Sequence, residues 1–156
     1  MSKRKRAECL QHLVPEWYSS PVKVAAITGF SGSGKTTLIT ALIERYTGDG
    51  LRVGAIKHTH HPLNEEDRGD TGRFRAAGAE PVILARVGEA VIFSSAGTRR
   101  VTYDQPRDLL AHFDTDIVLV EGFKELGEWP KISISADARP TVAELAENLD
   151  RIWHSP

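Results

Sequence analysis

A glycine-rich segment directly after an apolar run is the feature that most restricts how this chain can fold. Residues 29–36 read Gly-Phe-Ser-Gly-Ser-Gly-Lys-Thr, which fits the pattern G-x-x-x-x-G-K-[ST], and they follow the apolar run 24–27. A strand, such a loop and a helix in this order form a phosphate-binding loop, because backbone N–H groups and the positive helix end face phosphate oxygens. The pattern predicts that Lys35 reaches the β- and γ-phosphates and that the Thr36 hydroxyl binds Mg²⁺.

The alternative for this segment is a glycine- and serine-rich turn that binds nothing. That interpretation leaves the lysine, the hydroxyl and the strand-to-helix context to chance, so binding is favoured. The residues predicted to contact the phosphates are Gly29, Ser31, Gly32, Ser33, Gly34, Lys35, Thr36 and Thr37.

Composition restricts the class of protein further. The chain has 156 residues, of which 40% are hydrophobic and 26% are charged, and this suits one globular domain. Its 20 basic and 21 acidic residues give a net charge of -1, so no global field favours nucleic acid or a membrane surface. The basic group at 3–6 is expected to be a solvated tail. The single cysteine, Cys9, and the lack of any apolar run of about 20 residues predict a cytoplasmic protein.

The order of the apolar segments predicts an α/β fold. Residues 1–22 are expected to be an N-terminal extension, and residues 23–156 a nucleotide-binding domain. Strands are predicted at 24–27, 53–57, 82–85, 90–93, 99–103, 117–120 and 131–134, and helices at 38–46, at about 71–77, after Pro106 and at 142–149. The whole is a three-layer P-loop NTPase fold, with a mixed, mostly parallel sheet and an antiparallel hairpin extension.

Two acids are candidates to act beside the Mg²⁺ ion. Glu121 directly follows the apolar run 117–120, so it lies at the carboxyl end of a strand, where α/β proteins bind ligands. Asp116 enters the same strand at the opposite end. A helix cap or a surface acid is the alternative for Glu121. Asp70 lies in the long polar segment 58–72, and position alone favours an ordinary solvated acid there.

A cluster of three histidines follows the second predicted strand, in the sequence Lys57-His58-Thr59-His60-His61. In extended backbone His58 and His60 face one side, and Lys57 and His61 the other. Two histidines could begin a zinc or nickel site, but no clearly placed third ligand accompanies them. A basic strand end that binds an anionic ligand is the simpler interpretation, with Lys57 as the charge and the histidines as donors.

Gly122 and Lys124 extend this edge beyond Glu121. Gly122 permits close backbone approach, and Lys124 could meet a phosphate or be an ordinary loop lysine. The chain lacks the Asn/Thr-Lys-x-Asp sequence that reads guanine in many GTPases, so the base is not predicted from a motif.

Taken together, these blocks resemble one family. The Gly-Lys-Thr-Thr loop, the segment 57–61, an acid at Asp70 before a helix, and the segment 119–124 are similar to the molybdopterin-guanine dinucleotide biosynthesis protein B family. The likeness covers residues 23–135, and the histidine and Val-Glu-Gly-Phe-Lys blocks are more specific than the phosphate-binding loop. The family's usual Gly-Lys-Asp-Ser stretch is here Arg-Gly-Asp-Thr at 68–71, so the basic residue moves one place earlier, to Arg68.

The resemblance implies a GTP-binding, slowly GTP-hydrolysing protein that assists the attachment of GMP to the molybdenum-molybdopterin cofactor. It also implies a homodimer and a molybdenum cofactor guanylyltransferase as partner. By analogy with the family, Lys35, Asp70 and Glu121 are catalytic, and Thr36, Asp70 and Glu121 bind Mg²⁺. The residues 57, 58, 60, 61 and 124 then border the nucleotide or the cofactor. A nickel or zinc metallochaperone GTPase and a small-molecule kinase are the alternatives.

Overall fold

The computed structural model of the protein describes residues 22–66, 68–124 and 128–155. The predicted N-terminal extension, the basic group at 3–6 and Cys9 lie outside these residues, except for Val22. The elements, in chain order, are β1 (Lys23–Thr28), α1 (Lys35–Gly48), β2 (Val53–His58), α2 (Gly69–Ala77), β3 (Val82–Arg86), β4 (Glu89–Ser94), β5 (Gly97–Thr102), a 3₁₀ helix (Pro106–His112), β6 (Ile117–Glu121), β7 (Lys131–Ser133) and α3 (Val142–His154).

The strands form one seven-stranded sheet in the order β5-β4-β3-β2-β6-β1-β7. Strands β3, β2, β6, β1 and β7 pair in parallel, and the hairpins join β3, β4 and β5 in antiparallel fashion. The predicted α/β fold with a mixed, mostly parallel sheet and a hairpin extension is confirmed. Among the described residues, no helix is long and apolar enough to cross a membrane.

Strand β6 lies between β1 and β2, although β2 ends at His58 and β6 begins only at Ile117. Its five residues are all buried, as expected for a parallel strand covered on both faces. The register pairs Ile27 with Glu121 and Lys57 with Glu121. This insertion brings the ends of three parallel strands to one edge of the sheet.

The two faces of the sheet are covered differently. One face packs against α1, α2 and α3 through residues such as Leu42, Phe74 and Leu145. The other face packs against the 3₁₀ helix and the segment after β6, through Leu109, Phe113 and Trp129. The helix predicted after Pro106 is therefore a short 3₁₀ helix, with the proline in its first turn.

The long loop predicted at 58–72 is shorter than expected. Helix α2 begins at Gly69, so Gly72 lies inside the helix. An acid in its first turn, Asp70, favours this earlier start, and the Thr71 hydroxyl donates to the carbonyl of Arg68 at 3.0 Å. The result is that Asp70 belongs to a helix end and not to a free loop.

Candidate functional site

The phosphate-binding loop curls through two glycines in the left-handed region, Gly32 with φ 81° and Gly34 with φ 91°. Gly34 precedes α1, no side chain caps that helix, and its first turn holds no acid. The first N–H groups of a helix have no partner within it, so those of α1 are open to an anion. A Cβ on Gly34 would also lie 2.7 Å from Cζ of Arg139, so the loop and this guanidinium are in close contact.

Lys35, the first residue of α1, reaches back over the loop. Its Nζ donates to the carbonyls of Gly29 at 2.8 Å and Phe30 at 3.0 Å. Burial lowers the pKa of Lys35, and the nearby ammonium groups of Lys57 and Lys124 lower it further, whereas Glu121 opposes them. Three ammonium groups thus stand close enough to affect one another, and an anion placed among them would relieve their repulsion.

The buried acid of the site is Glu121, whose residue is only 3% exposed. The Thr36 hydroxyl lies 3.1 Å from both of its carboxylate oxygens and donates to them. Lys57 Nζ lies 2.7 Å from Glu121 Oε1 and 2.9 Å from Asp70 Oδ2. Glu121 therefore links the predicted trio, since it accepts from Thr36 and shares the ammonium of Lys57 with Asp70.

The carboxylates of Glu121 and Asp70 stabilise the protonated form of Lys57. Burial by itself would lower the pKa of Lys57, but hydrogen bonds to Glu121 and Asp70, together with their charges, outweigh burial and raise it. By contrast Asp116 lies at the opposite edge, as predicted, where it accepts a hydrogen bond from the Arg52 amide at 2.8 Å. The hydrogen bonds from Arg52 lower the pKa of Asp116.

The histidine block continues β2 along the edge. The His58 ring stacks on Phe123, with centroids 4.2 Å apart and planes at 26°, and His60 meets His58 edge-on at 4.9 Å. His58 and His60 thus lie on one side, as their spacing predicts. Burial lowers the pKa of His58, and the charges of His60 and Lys57 act in the same direction. Among the described residues, no group of three or more His, Cys, Asp or Glu side chains could hold a metal ion.

The phosphate-binding loop, the two acids and the ends of β2 and β6 open into one cavity of about 920 Å³. Its lining from the phosphate-binding loop and the acids is Gly29, Ser31, Gly32, Gly34, Lys35, Thr36, Thr37, Asp70 and Glu121. Its lining from the ends of β2 and β6 is Lys57, His58, Thr59, His60, His61, Gly122, Phe123 and Lys124. The remainder, Val87, Gly88, Tyr103, Asp104 and Pro106, comes from the β3–β4 turn and the connection after β5.

The cavity lining holds every predicted site residue except Ser33. The Ser33 hydroxyl is buried and has no hydrogen-bond partner among the described residues. Arg68, which replaces the family's lysine, lies outside the lining and pairs with Glu66 at 2.9 Å. No motif in the sequence indicates that Arg139 lies at the loop. The β3–β4 turn could have been anticipated, because a parallel β3 also ends at this edge.

A sequence model of one family matches residues 24–153, and its description is molybdopterin guanine dinucleotide synthesis protein B, MobB. The chain belongs to the MobB family. A phosphate-binding loop lies at the expected strand-to-helix junction of this MobB chain. The match covers both the loop and the acidic residues at the edge of the sheet.

Two curated MobB relatives are similar over most of this chain. A molybdopterin-guanine dinucleotide biosynthesis adapter protein of Haemophilus influenzae is 40% identical over 111 residues, which are 69% of this chain and 60% of that protein. A probable adapter protein of Bacillus subtilis is 31% identical over 134 residues, 83% of this chain and 74% of its own length. A crystal structure of Bacillus subtilis MobB is 31% identical, with a TM-score of 0.42 over 71% of this chain and 66% of that one. The match thus spans less than two thirds of the Haemophilus protein.

Proposed function

We propose that this protein binds GTP with Mg²⁺, hydrolyses it slowly, and assists the conversion of Mo-molybdopterin to its guanine dinucleotide form. One observation carries the proposal: Lys35, Thr36 and Glu121 meet at one sheet edge in a chain of the MobB family. The proposed nucleotide-binding domain spans residues 23–156, and residues 1–22 are proposed to be an extension to it.

The phosphates are proposed to lie on the loop 29–34 and the first turn of α1. Lys35 would leave the carbonyls of Gly29 and Phe30 to bind the β- and γ-phosphates, since a phosphate oxygen is a stronger partner for an ammonium than a carbonyl. Thr37 and the amides of the loop would hold the inner phosphates. Lys124, whose Nζ lies 5.0 Å from the centroid of the Phe30 ring, is proposed to add charge at the rim.

The oxygen donors around Lys57 fit Mg²⁺. The hydroxyl of Thr36 and the carboxylates of Glu121 and Asp70 are hard oxygen ligands, and Lys57 already holds a positive charge between the two acids. When bound, Mg²⁺ would neutralise charge between the β- and γ-phosphate oxygens. Lys57, released from the acids, is proposed to turn towards the terminal phosphate.

Glu121 and Asp70 are proposed to have different roles in hydrolysis. Glu121 accepts from Thr36 and Lys57, with its side chain 4% exposed, and so supports the metal side of the site. Asp70 is 35% exposed and is proposed to orient the attacking water. Water attacks the γ-phosphorus, the bond to the β–γ bridging oxygen breaks, and GDP and phosphate leave.

The proposed partners are inferred from the family to which the chain belongs. The two curated relatives are named as adapter proteins in molybdopterin-guanine dinucleotide biosynthesis. We infer that this chain acts in the cytoplasm as a homodimer, with a molybdenum cofactor guanylyltransferase and Mo-molybdopterin as its partners. Size-exclusion chromatography with light scattering tests the dimer.

A reconstitution assay tests the function. Guanylyltransferase, Mo-molybdopterin and GTP are combined with this protein or with its Lys35→Ala variant, and guanine dinucleotide cofactor is quantified. We expect stimulation by the native chain and none by the variant, because the variant lacks the phosphate-binding ammonium. Calorimetry then compares GTP with ATP. Micromolar GTP affinity retained in Lys35→Ala would contradict the nucleotide site, and equal stimulation by both proteins would contradict the GTP-dependent role.

A further inference from the structure

The cavity continues well past its phosphate-binding end. Its other end, which we name the hairpin end, is lined by Val87, Gly88, Tyr103, Asp104 and Pro106. Strands β2 and β6 separate β3 from β1, so the end of β3 lies three strand spacings, roughly 14 Å, from the strand that leads into the phosphate-binding loop. A ligand at the hairpin end would therefore lie beyond Lys57 and apart from phosphates on the loop.

Aromatic rings line the cavity between its two ends. His58 and Phe123 stack at 4.2 Å, and behind the lining Phe123 meets Trp129 at nearly a right angle, with centroids 6.0 Å apart. The amide of Thr59 donates to the Ala85 carbonyl at 2.8 Å, which ties the histidine block to β3. Rings fixed in this way favour a flat ligand, because stacked aromatic groups gain from offset face-to-face contact.

The polar groups of the hairpin end suit a ligand ring that has two adjacent N–H groups on one edge. Tyr103 is engaged, since its hydroxyl donates to the Arg86 carbonyl and its amide donates to the Gly88 carbonyl at 3.1 Å. Its neighbour Asp104 has no ion pair within residues 22–66, 68–124 and 128–155. A carboxylate accepts two parallel hydrogen bonds, which a ring with two adjacent N–H groups on one edge can donate.

We propose that the hairpin end binds a 2-amino-4-oxopyrimidine ring, the ring that pterins and guanine share. Asp104 accepts from its adjacent N–H groups, and the half-buried ring of His58, held by Phe123, contacts its face. The inference rests on the proposed function, which brings both a pterin and a guanine nucleotide to this protein. Distance from the phosphate-binding loop favours the pterin as the source of the ring, with His60 and His61 as donors to its anionic substituent.

The test uses the full chain loaded with Mg²⁺ and a non-hydrolysable GTP analogue. Neopterin, which is fluorescent and carries the ring without molybdenum, is titrated and its emission followed. We expect Asp104→Asn to weaken neopterin binding about 10- to 100-fold, since it replaces a charged acceptor pair by an amide. Asp114→Asn is the matched control, because Asp114 is a fully exposed acid that pairs only with Arg52 among the described residues.

Affinities for GTP and ATP analogues are measured in the same two variants. If Asp104→Asn weakens binding of the GTP analogue and spares the ATP analogue, the ring at the hairpin end is guanine, which supports the same chemistry. If Asp104→Asn matches Asp114→Asn in neopterin binding and in preference for GTP, the proposal is overturned. Failure of the proposed function is a separate result, because it shows in the GTP affinity of Lys35→Ala.

Discussion

Lys57 and Glu121 face each other across neighbouring parallel strands, with Nζ 2.7 Å from Oε1. The same ammonium reaches Asp70 at 2.9 Å, so one side chain neutralises both acids that we assign to the metal. An ammonium in this position offsets the repulsion between two close carboxylates without a metal ion. It follows that Lys57 and Mg²⁺ should stabilise the same pair of acids.

Replacing Lys57 by methionine should destabilise the folded protein and make it depend on magnesium. The change leaves the buried carboxylate of Glu121 without its cation, and we expect a loss of roughly 1–3 kcal/mol in the free energy of unfolding. Added Mg²⁺ should restore more stability to this variant than to the native chain. Urea unfolding with and without Mg²⁺ measures both effects.

The control for this experiment is Lys131→Met. Lys131 also donates from its ammonium, but to the Lys124 carbonyl at an exposed position, so its loss should change stability little. If the two variants have equal free energies of unfolding, and Mg²⁺ stabilises Lys57→Met no more than it stabilises the native chain, then a cation between the two acids is not needed for stability.

The two acids should respond differently to neutralisation. Glu121→Gln should raise the Mg²⁺ concentration needed for half-maximal GTP hydrolysis, by about tenfold or more, because a metal ligand loses its charge. Asp70→Asn should also raise this Mg²⁺ concentration, and it should in addition lower kcat by about 10²-fold at saturating Mg²⁺, because the acid that orients water is lost. Phosphate release over a range of Mg²⁺ concentrations separates the two. Glu65→Gln, at an exposed ion pair with Arg100, serves as control, and identical profiles for both acids would contradict the division of roles.

Gly34→Ala should weaken both folding and nucleotide binding. At φ 91° an alanine costs roughly 1–2 kcal/mol, and the new methyl group would press on the Arg139 guanidinium. The guanidinium can swing away, but the backbone strain remains, so Arg139→Ala added to the variant should restore little stability. Thermal unfolding and GTP titration check the change. Gly48→Ala, a site with no neighbour within 4 Å of the new methyl, should be neutral or stabilising, and a similar loss there would contradict the explanation.

His58 should make stability depend on pH in the acidic range. Its pKa lies below the ordinary value of 6.5 in the folded chain, so the unfolded chain binds the proton more readily. The contribution is complete above pH 6.5 and is lost as the pH falls towards the folded pKa. The free energy of unfolding should therefore drop less between pH 7 and pH 5 in His58→Phe than in the native chain. If His58→Phe shows the same drop between pH 7 and pH 5 as the native chain, His58 does not cause the pH dependence.

The phosphate-binding end of the site is the part that the sequence predicts best. A loop motif fixes where Lys35 and Thr36 stand, and the rule that ligands meet the carboxyl ends of strands separates Glu121 from Asp116. These inferences need only local order along the chain. The structure accordingly brings Thr36 within 3.1 Å of Glu121.

The rest of the site depends on which strands become neighbours in the sheet, and the spacing of apolar residues along the sequence does not determine this. No local pattern indicates that β6 inserts between β1 and β2, and that insertion is why Lys57 meets Glu121. The contact of Arg139 with Gly34 likewise joins segments about a hundred residues apart, and Asp104 reaches the cavity only because β5 and β4 extend the sheet beyond β3. Tertiary packing decides such contacts.

The position of β6 also determines when the site can exist during folding. The bond from Thr36 to Glu121 closes 85 residues and that from Lys57 to Glu121 closes 64, so both have high contact order and form after the local helices. A chain still emerging from the ribosome can present the glycine-rich loop long before residue 121 is available. A site that needs both the loop and Glu121 can therefore be complete only in molecules whose central strand β6 is already in place.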